Sequence, residues 1–419
     1  MKSRTIVLLI MLGILMGLTS SRGENADYLS AFETVWKIVD ETYFDPAFGG
    51  LNWKGVHDRY RPQIAAAGKD EEFYGLVNKM LWELKVSHAN FVPPGSLALY
   101  EPLVFAEGGP GIDIRLLNRA AVVTSVKQGS PAHEAGLRPG HVIHAIDGIA
   151  VEQIVQDAER VNPPPSNSRS QVARSTKRLL GRIYGAPGTE VSITFSDEAG
   201  KKSEQKIMRA KRSGVAVGPI FMAVDFEARR LDSGIGYIRL NTLQPQLAAQ
   251  ISKVLKSMGN VRGIILDLRG NSGGEIEGMP ELFIRERALL FLKRERGGET
   301  KVFFDPAADA FNGPLVLLVD PLSGSASELF AASLKAIGRA AVVGERSPGS
   351  VMEMDRKIFQ NGSIFMYPVA QLTTPDGTVL EGNGVAPNME VGLDRAMLLK
   401  GIDSQLDSAV KYLEKQIRK

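Results

Sequence analysis

Ile264-Ile265-Leu266-Asp267-Leu268 leads directly into Arg269-Gly270-Asn271-Ser272-Gly273-Gly274. The first five residues have the length and apolar content of a strand buried in a sheet, and the glycines end it in a loop. The pattern recurs at Leu315-Val316-Leu317-Leu318-Val319, which opens into Asp320-Pro321-Leu322-Ser323-Gly324-Ser325-Ala326-Ser327-Glu328 and then a helical stretch to about Ala336. Around them, Ile235 to Leu240 and Ala340 to Val343 read as strands, and Pro245 to Met258 as a helix. From Gly234 onward strand and helix alternate. That alternation predicts an α/β core over residues 213–419, with a mostly parallel sheet and covering helices. In such sheets reactive groups collect at the carboxyl ends of the strands, where both loops fall.

Upstream the pattern changes. Residues 26–98 read as a helical segment: Ala31 to Val39 and Glu71 to Leu84 carry apolar residues at intervals of three and four, and Pro93-Pro94-Gly95 stops them. Over 100–212 short β-like runs alternate with turns, at Ile112 to Ile114, Ala121 to Val126, Val142 to Ile146 and Val191 to Phe195. A solvated loop, Asn162 to Ser168, interrupts them. Within this stretch Gly129-Ser130-Pro131-Ala132-His133-Glu134-Ala135-Gly136-Leu137-Arg138-Pro139-Gly140-His141-Val142-Ile143, with Asp147-Gly148, resembles a PDZ domain. His141 stands where that family usually has Asp. The resemblance implies an inserted β domain that adds a ligand strand to its edge and holds a peptide's terminal carboxylate on backbone N–H groups of the loop Gly111, Ile112, Asp113, Ile114. A domain that only packs against the rest is the simpler alternative.

The first residues have the form of an export signal. Lys2 and Arg4 precede the apolar run Ile6 to Leu18, which is too short to span a bilayer, and small residues follow. Residues 1–22 are therefore expected to be removed, leaving an exported, periplasmic or secreted chain with no stable membrane span. The 50 Lys and Arg against 47 Asp and Glu give +3, and losing Lys2 and Arg4 leaves +1. So balanced a chain has no general attraction to nucleic acid. The absence of cysteine excludes disulfides, thiol nucleophiles and cysteine metal sites.

Three stretches carry possible chemistry: Val86-Ser87-His88-Ala89-Asn90-Phe91 and the two loops already quoted. A serine at a helix start sits near unpaired N–H groups, and glycine lets a backbone N–H approach a substrate oxygen. Together they suit acyl transfer through an oxyanion. Bland readings exist for each piece. Ser325 and Glu328 are spaced as a capping box, which needs no catalysis. His57, His133, His141 and His144 read as structural.

The combination is more specific. Asp267-Leu-Arg-Gly-Asn-Ser-Gly-Gly274, Gly324-Ser-Ala-Ser-Glu328, Gly338-Arg-Ala-Ala-Val-Val-Gly-Glu345 and Glu381-Gly-Asn-Gly-Val-Ala-Pro387 resemble the C-terminal processing and tricorn core peptidases. These are serine peptidases with a PDZ domain. The resemblance implies a crotonase-like peptidase core and Ser325 as nucleophile. One branch places a lysine base 25 residues after its serine; here that position is Ser350. Lys335 and Lys357 are nearby in sequence but do not match that motif. The tricorn-like branch pairs the serine with a Ser-His and a late glutamate, which Ser87, His88 and Glu381 match. Gly273 and Ala326 would then supply the oxyanion hole, and no cofactor or metal is needed. The implied function is an exported serine endopeptidase acting on protein or peptide substrates, with the PDZ-like segment recognising or gating C-terminal tails. The alternative is a binding protein for peptides or apolar ligands on the same scaffold, a reading the missing lysine favours.

Overall fold

The computed structural model describes residues 27–217 and 220–418. The expected export signal lies outside the described residues. The chain forms two compact units. The first takes the described residues up to Pro94 together with 294–298 and 353–370; the second takes 95–293, 299–352 and 371 onward.

The first unit is built on α1 (27–42), α2 (Trp53–Ala66) and α3 (Asp70–Trp82). Asp70, Glu71 and Glu72 occupy the first turn of α3 and Lys79 its last, the charge order that a helix dipole favours. Phe32, Val35, Val56, Ile64, Val77, Met80 and Leu81 form the buried interior. Strand β1 (Asn90–Val92) pairs antiparallel with Ile364–Met366. The buried Asn78 of α3 binds Phe91 at both backbone groups, donating to its carbonyl at 2.9 Å and accepting from its N–H at 2.8 Å. This clamp returns the chain to α3 and closes the loop that carries Ser87 and His88.

The second unit contains two six-stranded sheets. In the PDZ-like stretch, β2 (Ile112–Leu117), β3 (Ala120–Val126), β4 (Val142–Ile146), β5 (Glu190–Ser196) and β6 (Lys202–Met208) pair antiparallel in that order. Helices α4 (Val151–Glu159) and α5 (Ser168–Ile183) pack on it around Ile114, Val123, Ile143, Ile154, Leu180, Ile193 and neighbours. The sequence reading found no helix at α5. Its apolar stripe starts only at Ala173, because Ser170, Ser175 and Thr176 are buried polar positions.

The other sheet orders β7 (Phe226–Arg230), β8 (Gly236–Leu240), β9 (Ile264–Asp267), β10 (Leu315–Val319), β11 (Ala341–Gly344) and β12 (Met389–Glu390). The β7–β8 pair is antiparallel and the four remaining pairs are parallel. Alternate residues feed two cores. Ile238, Leu266, Leu317 and Val342 join α6 (Pro245–Ser257) and α7 (Ala326–Ala336); Tyr237, Ile265, Leu318 and Val343 meet α8 (Ser404–Ile417). Burial on both faces is why these strands are continuously apolar. The expectation of a mostly parallel sheet describes this one sheet only. Pairings elsewhere in the chain are largely antiparallel, so the fold is mixed α/β. No described helix is long and apolar enough to cross a membrane.

Candidate active site

Ser325 precedes α7 with φ 53° and ψ −125°. A non-glycine residue there is strained, and strain of this kind persists only where the surroundings enforce it. The surroundings are two loops bonded to each other. Gly324 N–H donates to the Asn271 carbonyl at 2.9 Å, and the Ser323 hydroxyl to the Leu268 carbonyl at 2.8 Å. One oxygen of the buried Asp320 accepts from the N–H groups of Gly270 and Leu322, both at 3.0 Å. Its other oxygen takes Arg115 Nε at 2.5 Å, an ion pair between the PDZ-like sheet and the end of β10.

Gly273 lies directly against the serine. A Cβ at this position would come 2.7 Å from Ser325 Cβ and 2.8 Å from the Ala326 nitrogen, and its φ is 96°. Only glycine fits there. Ala326 contributes the first N–H of α7, one of the amides that a helix leaves unpaired. The Gly273 N–H donates to Asn271 Oδ1 at 2.9 Å, and the same oxygen accepts the Ser327 hydroxyl at 2.6 Å.

Glu328 is fully buried one turn into α7. Its Oε2 accepts Ser325 N–H at 3.2 Å and Ser350 N–H at 2.9 Å; its Oε1 accepts the Ser347 hydroxyl at 2.6 Å and Gly349 N–H at 2.7 Å. Burial pushes this carboxyl up to about 7, against the downward pull of the bonds from Ser347, Ser350 and Gly349, while the nearby Glu381 charge adds to the rise. Glu381 Oε2 accepts Val351 N–H at 2.7 Å, so two glutamates hold one strap of chain, residues 347–351. Lys335, in the last turn of α7, donates to the Ala386 carbonyl.

Below the loops lies a buried ionic cluster. Arg269 and the Tyr237 hydroxyl reach Asp267 at 2.6 and 2.7 Å, and Asp113 pairs with Arg115 and Arg239 at 2.6 and 2.7 Å. Burial works to raise the Asp267 carboxyl, but Arg269 prevails and holds it down at about 2.

Ser87 and His88 belong to the first unit. Ser87 Oγ lies 2.7 Å from His88 Nδ1, and His88 has φ 62°. In the PDZ-like loop the backbone groups are partly engaged: Ile114 N–H donates to Asp113 Oδ1 at 2.9 Å, and the Tyr184 hydroxyl donates to the Ile112 carbonyl at 2.7 Å. Gly111 adopts φ 85° beside Ser130. Of the remaining histidines, His57 sits between Glu33 and Asp58, His141 is buried against Phe195, and His144 meets Ser196. Among the described residues no group of three or more His, Asp or Glu gathers as a metal site.

The structure thus brings Ser325, Gly273 and Ala326 into contact, joins Glu381 to them through the strap, and pairs Ser87 with His88. Sequence reasoning missed Glu328, Asn271, Asp320 and Arg115. Asn271 and Asp320 stood inside the quoted loops without a role of their own, and the Ser-x-x-Glu spacing of Glu328 also fits an ordinary cap.

Residues 234–391 match the model of peptidase family S41. The chain is a serine peptidase. Residues 24–82 match the tricorn protease C1 domain and 122–174 a PDZ domain. A relative named "Probable CtpA-like serine protease" from Staphylococcus aureus (strain N315) is 26% identical over 399 residues, 93% of this chain and 70% of that protein. Among solved structures, the photosystem II D1 C-terminal processing protease shares the fold with a TM-score of 0.56 at 23% identity, over 92% of this chain and 97% of that one. The tricorn protease does so with a TM-score of 0.55 at 19% identity, over 94% of this chain and 37% of its own.

Proposed function

We propose that this serine peptidase is an exported endopeptidase that cuts peptide bonds through an acyl-enzyme on Ser325. The observation that carries the reading is the strained Ser325 at the start of α7, with Gly273 pressed against it. His88 is the base. Ser87 Oγ lies 2.7 Å from Nδ1, and the imidazole takes the Ser325 proton at Nε2. The Ser325 oxygen then bonds to the substrate carbonyl carbon, and the carbonyl oxygen becomes an oxyanion held by the N–H groups of Gly273 and Ala326. The intermediate collapses, the C–N bond breaks, and Nε2 returns the proton to the leaving amine. Water, deprotonated by His88, hydrolyses the ester. Ser87 and Glu381 orient the imidazole and stabilise its cation. For Gly273 to serve, its N–H must turn from Asn271 toward the substrate.

The PDZ-like segment, residues 100–212, recognises or gates protein C-terminal tails at Gly111–Ile114. We take 26–98 as a helical domain and 213–419 as a crotonase-like core. Lys2, Arg4 and the apolar run after them support export to the periplasm or beyond.

A fluorophosphonate probe tests the nucleophile. The wild-type chain is expected to be labelled at Ser325, and Ser325→Ala to lose both the label and hydrolysis of an unfolded protein. An unlabelled wild type, or a label that survives in Ser325→Ala, overturns the reading.

A further inference from the structure

Glu328 is a charged group beside the nucleophile to which the mechanism above gives no task. A helix cap needs one hydrogen bond to one free N–H. Glu328 takes four, and three of them come from Ser347, Gly349 and Ser350 rather than from its own helix. Burying a carboxylate is unfavourable unless a partner compensates, and among the described residues Glu328 makes no ion pair. An uncharged cap would end the helix without that cost.

The bonds show what the charge holds in place. The strap meets the nucleophile at two points, since Ser325 N–H also donates to the Ser350 carbonyl at 2.9 Å. The next residue, Val351, binds Glu381 Oε2, and Gly382 N–H returns to the Gly349 carbonyl at 2.8 Å. Residues 347–351 thus link Ser325 to the Glu381 loop, and Glu328 is the side chain inside that knot.

We propose that Glu328 is a positioning residue for peptide hydrolysis: its carboxylate fixes the 347–351 strap against the start of α7, and through it the orientation of both Ser325 and Glu381. This rests on Ser325 being the nucleophile. Glu328 touches neither substrate nor reacting atoms.

The test is Glu328→Gln in the full chain. The amide keeps the shape but turns an NH2 group toward backbone N–H donors on one side of the knot. A displacement of about 1 Å at the serine lowers turnover roughly 10- to 100-fold. We expect kcat to fall by that factor with KM unchanged, measured well below the unfolding temperature, and fluorophosphonate labelling of Ser325 to slow in step. A residue that only caps the helix would lower the unfolding temperature and leave kcat alone. Ser347→Ala removes one donor and keeps the carboxylate, so it covers the case in which Glu328→Gln does not fold; a fall in kcat at constant KM is expected there too. Wild-type kcat in Ser347→Ala and in any folded Glu328→Gln overturns the proposal while labelling of wild-type Ser325 preserves the nucleophile. A wild-type chain that never labels at Ser325 overturns both.

Discussion

Ser325 and His88 share a backbone property that few side chains tolerate, a positive φ of 53° and 62°. Each costs on the order of 1–3 kcal/mol, offset by the bonds that hold the residue. The cost shapes the choice of substitution at His88. Alanine there would add strain, whereas asparagine accepts the left-handed region. His88→Asn should therefore keep the unfolding temperature close to wild type and lower kcat by about 10²–10⁴-fold, the usual worth of a general base. Steady-state rates beside thermal unfolding check this, and retained turnover would send the search for a base elsewhere. Glu328 carries a second prediction, in pH. Its folded value of about 7 lies above the ordinary 4.5. Between those values the folded chain keeps a proton that the unfolded chain releases, so stability falls as pH rises through that window and is level above it. Glu381 and Arg169 face the group and are unchanged in a Glu328→Gln comparison. Relative to that variant, the wild type should lose about 3 kcal/mol from pH 4.5 to 7. Thermal unfolding of both proteins at several pH values reads the difference, and a gap that does not change with pH would contradict it.

The element that matters most is the pair of loops after β9 and β10. Gly273 shows how little tolerance they have. In Gly273→Ala the new Cβ meets Ser325 Cβ at 2.7 Å in a backbone region hostile to side chains. The variant should lose stability on the order of 1–3 kcal/mol together with labelling of Ser325, in paired denaturation and probe assays. An alanine variant with wild-type labelling would show that the loop yields. These loops were legible in sequence because the strands feeding them are apolar on both faces, so β8, β9, β10, α6 and α7 stand where the runs of Ile, Leu and Val place them. Other elements were not. Helix α5 hides its face behind buried Ser170 and Thr176. The Arg115–Asp320 pair joins residues 205 apart, a separation no local pattern records. Glu328 was visible only as a cap, because the strap that loads it with donors arrives about twenty residues later in the chain.

At the scale of the second unit, the PDZ-like stretch is fastened to the α/β core where the nucleophile loop begins. Leu322 of that loop packs among Ile112, Ile114, Leu179 and Ile183 of the PDZ-like interior. Asn167 and Arg169, at the start of α5, donate to the carbonyls of Pro348, Gly382, Ser347 and Asn383, which belong to the strap and the Glu381 loop. Arg115 pairs with Asp320 and Asp113 in a nearly dry setting. A segment joined this way is a wall of the site. Excising residues 100–212 should therefore abolish basal turnover and lower the unfolding temperature. A PDZ-like segment that only delivered tails would instead leave basal turnover intact and change tail preference alone. Point changes separate the ionic part of that effect from the packing. Arg115→Met takes the cation from the buried Asp320, while Asp113 keeps Arg239, and should cost about 3–5 kcal/mol. Asp320→Asn removes the charge left behind, so the double variant should be less destabilised than the two single costs added together. A denaturation cycle over the four proteins measures the coupling, and a value near zero would mean that the pair does not fasten the segment to the nucleophile loop.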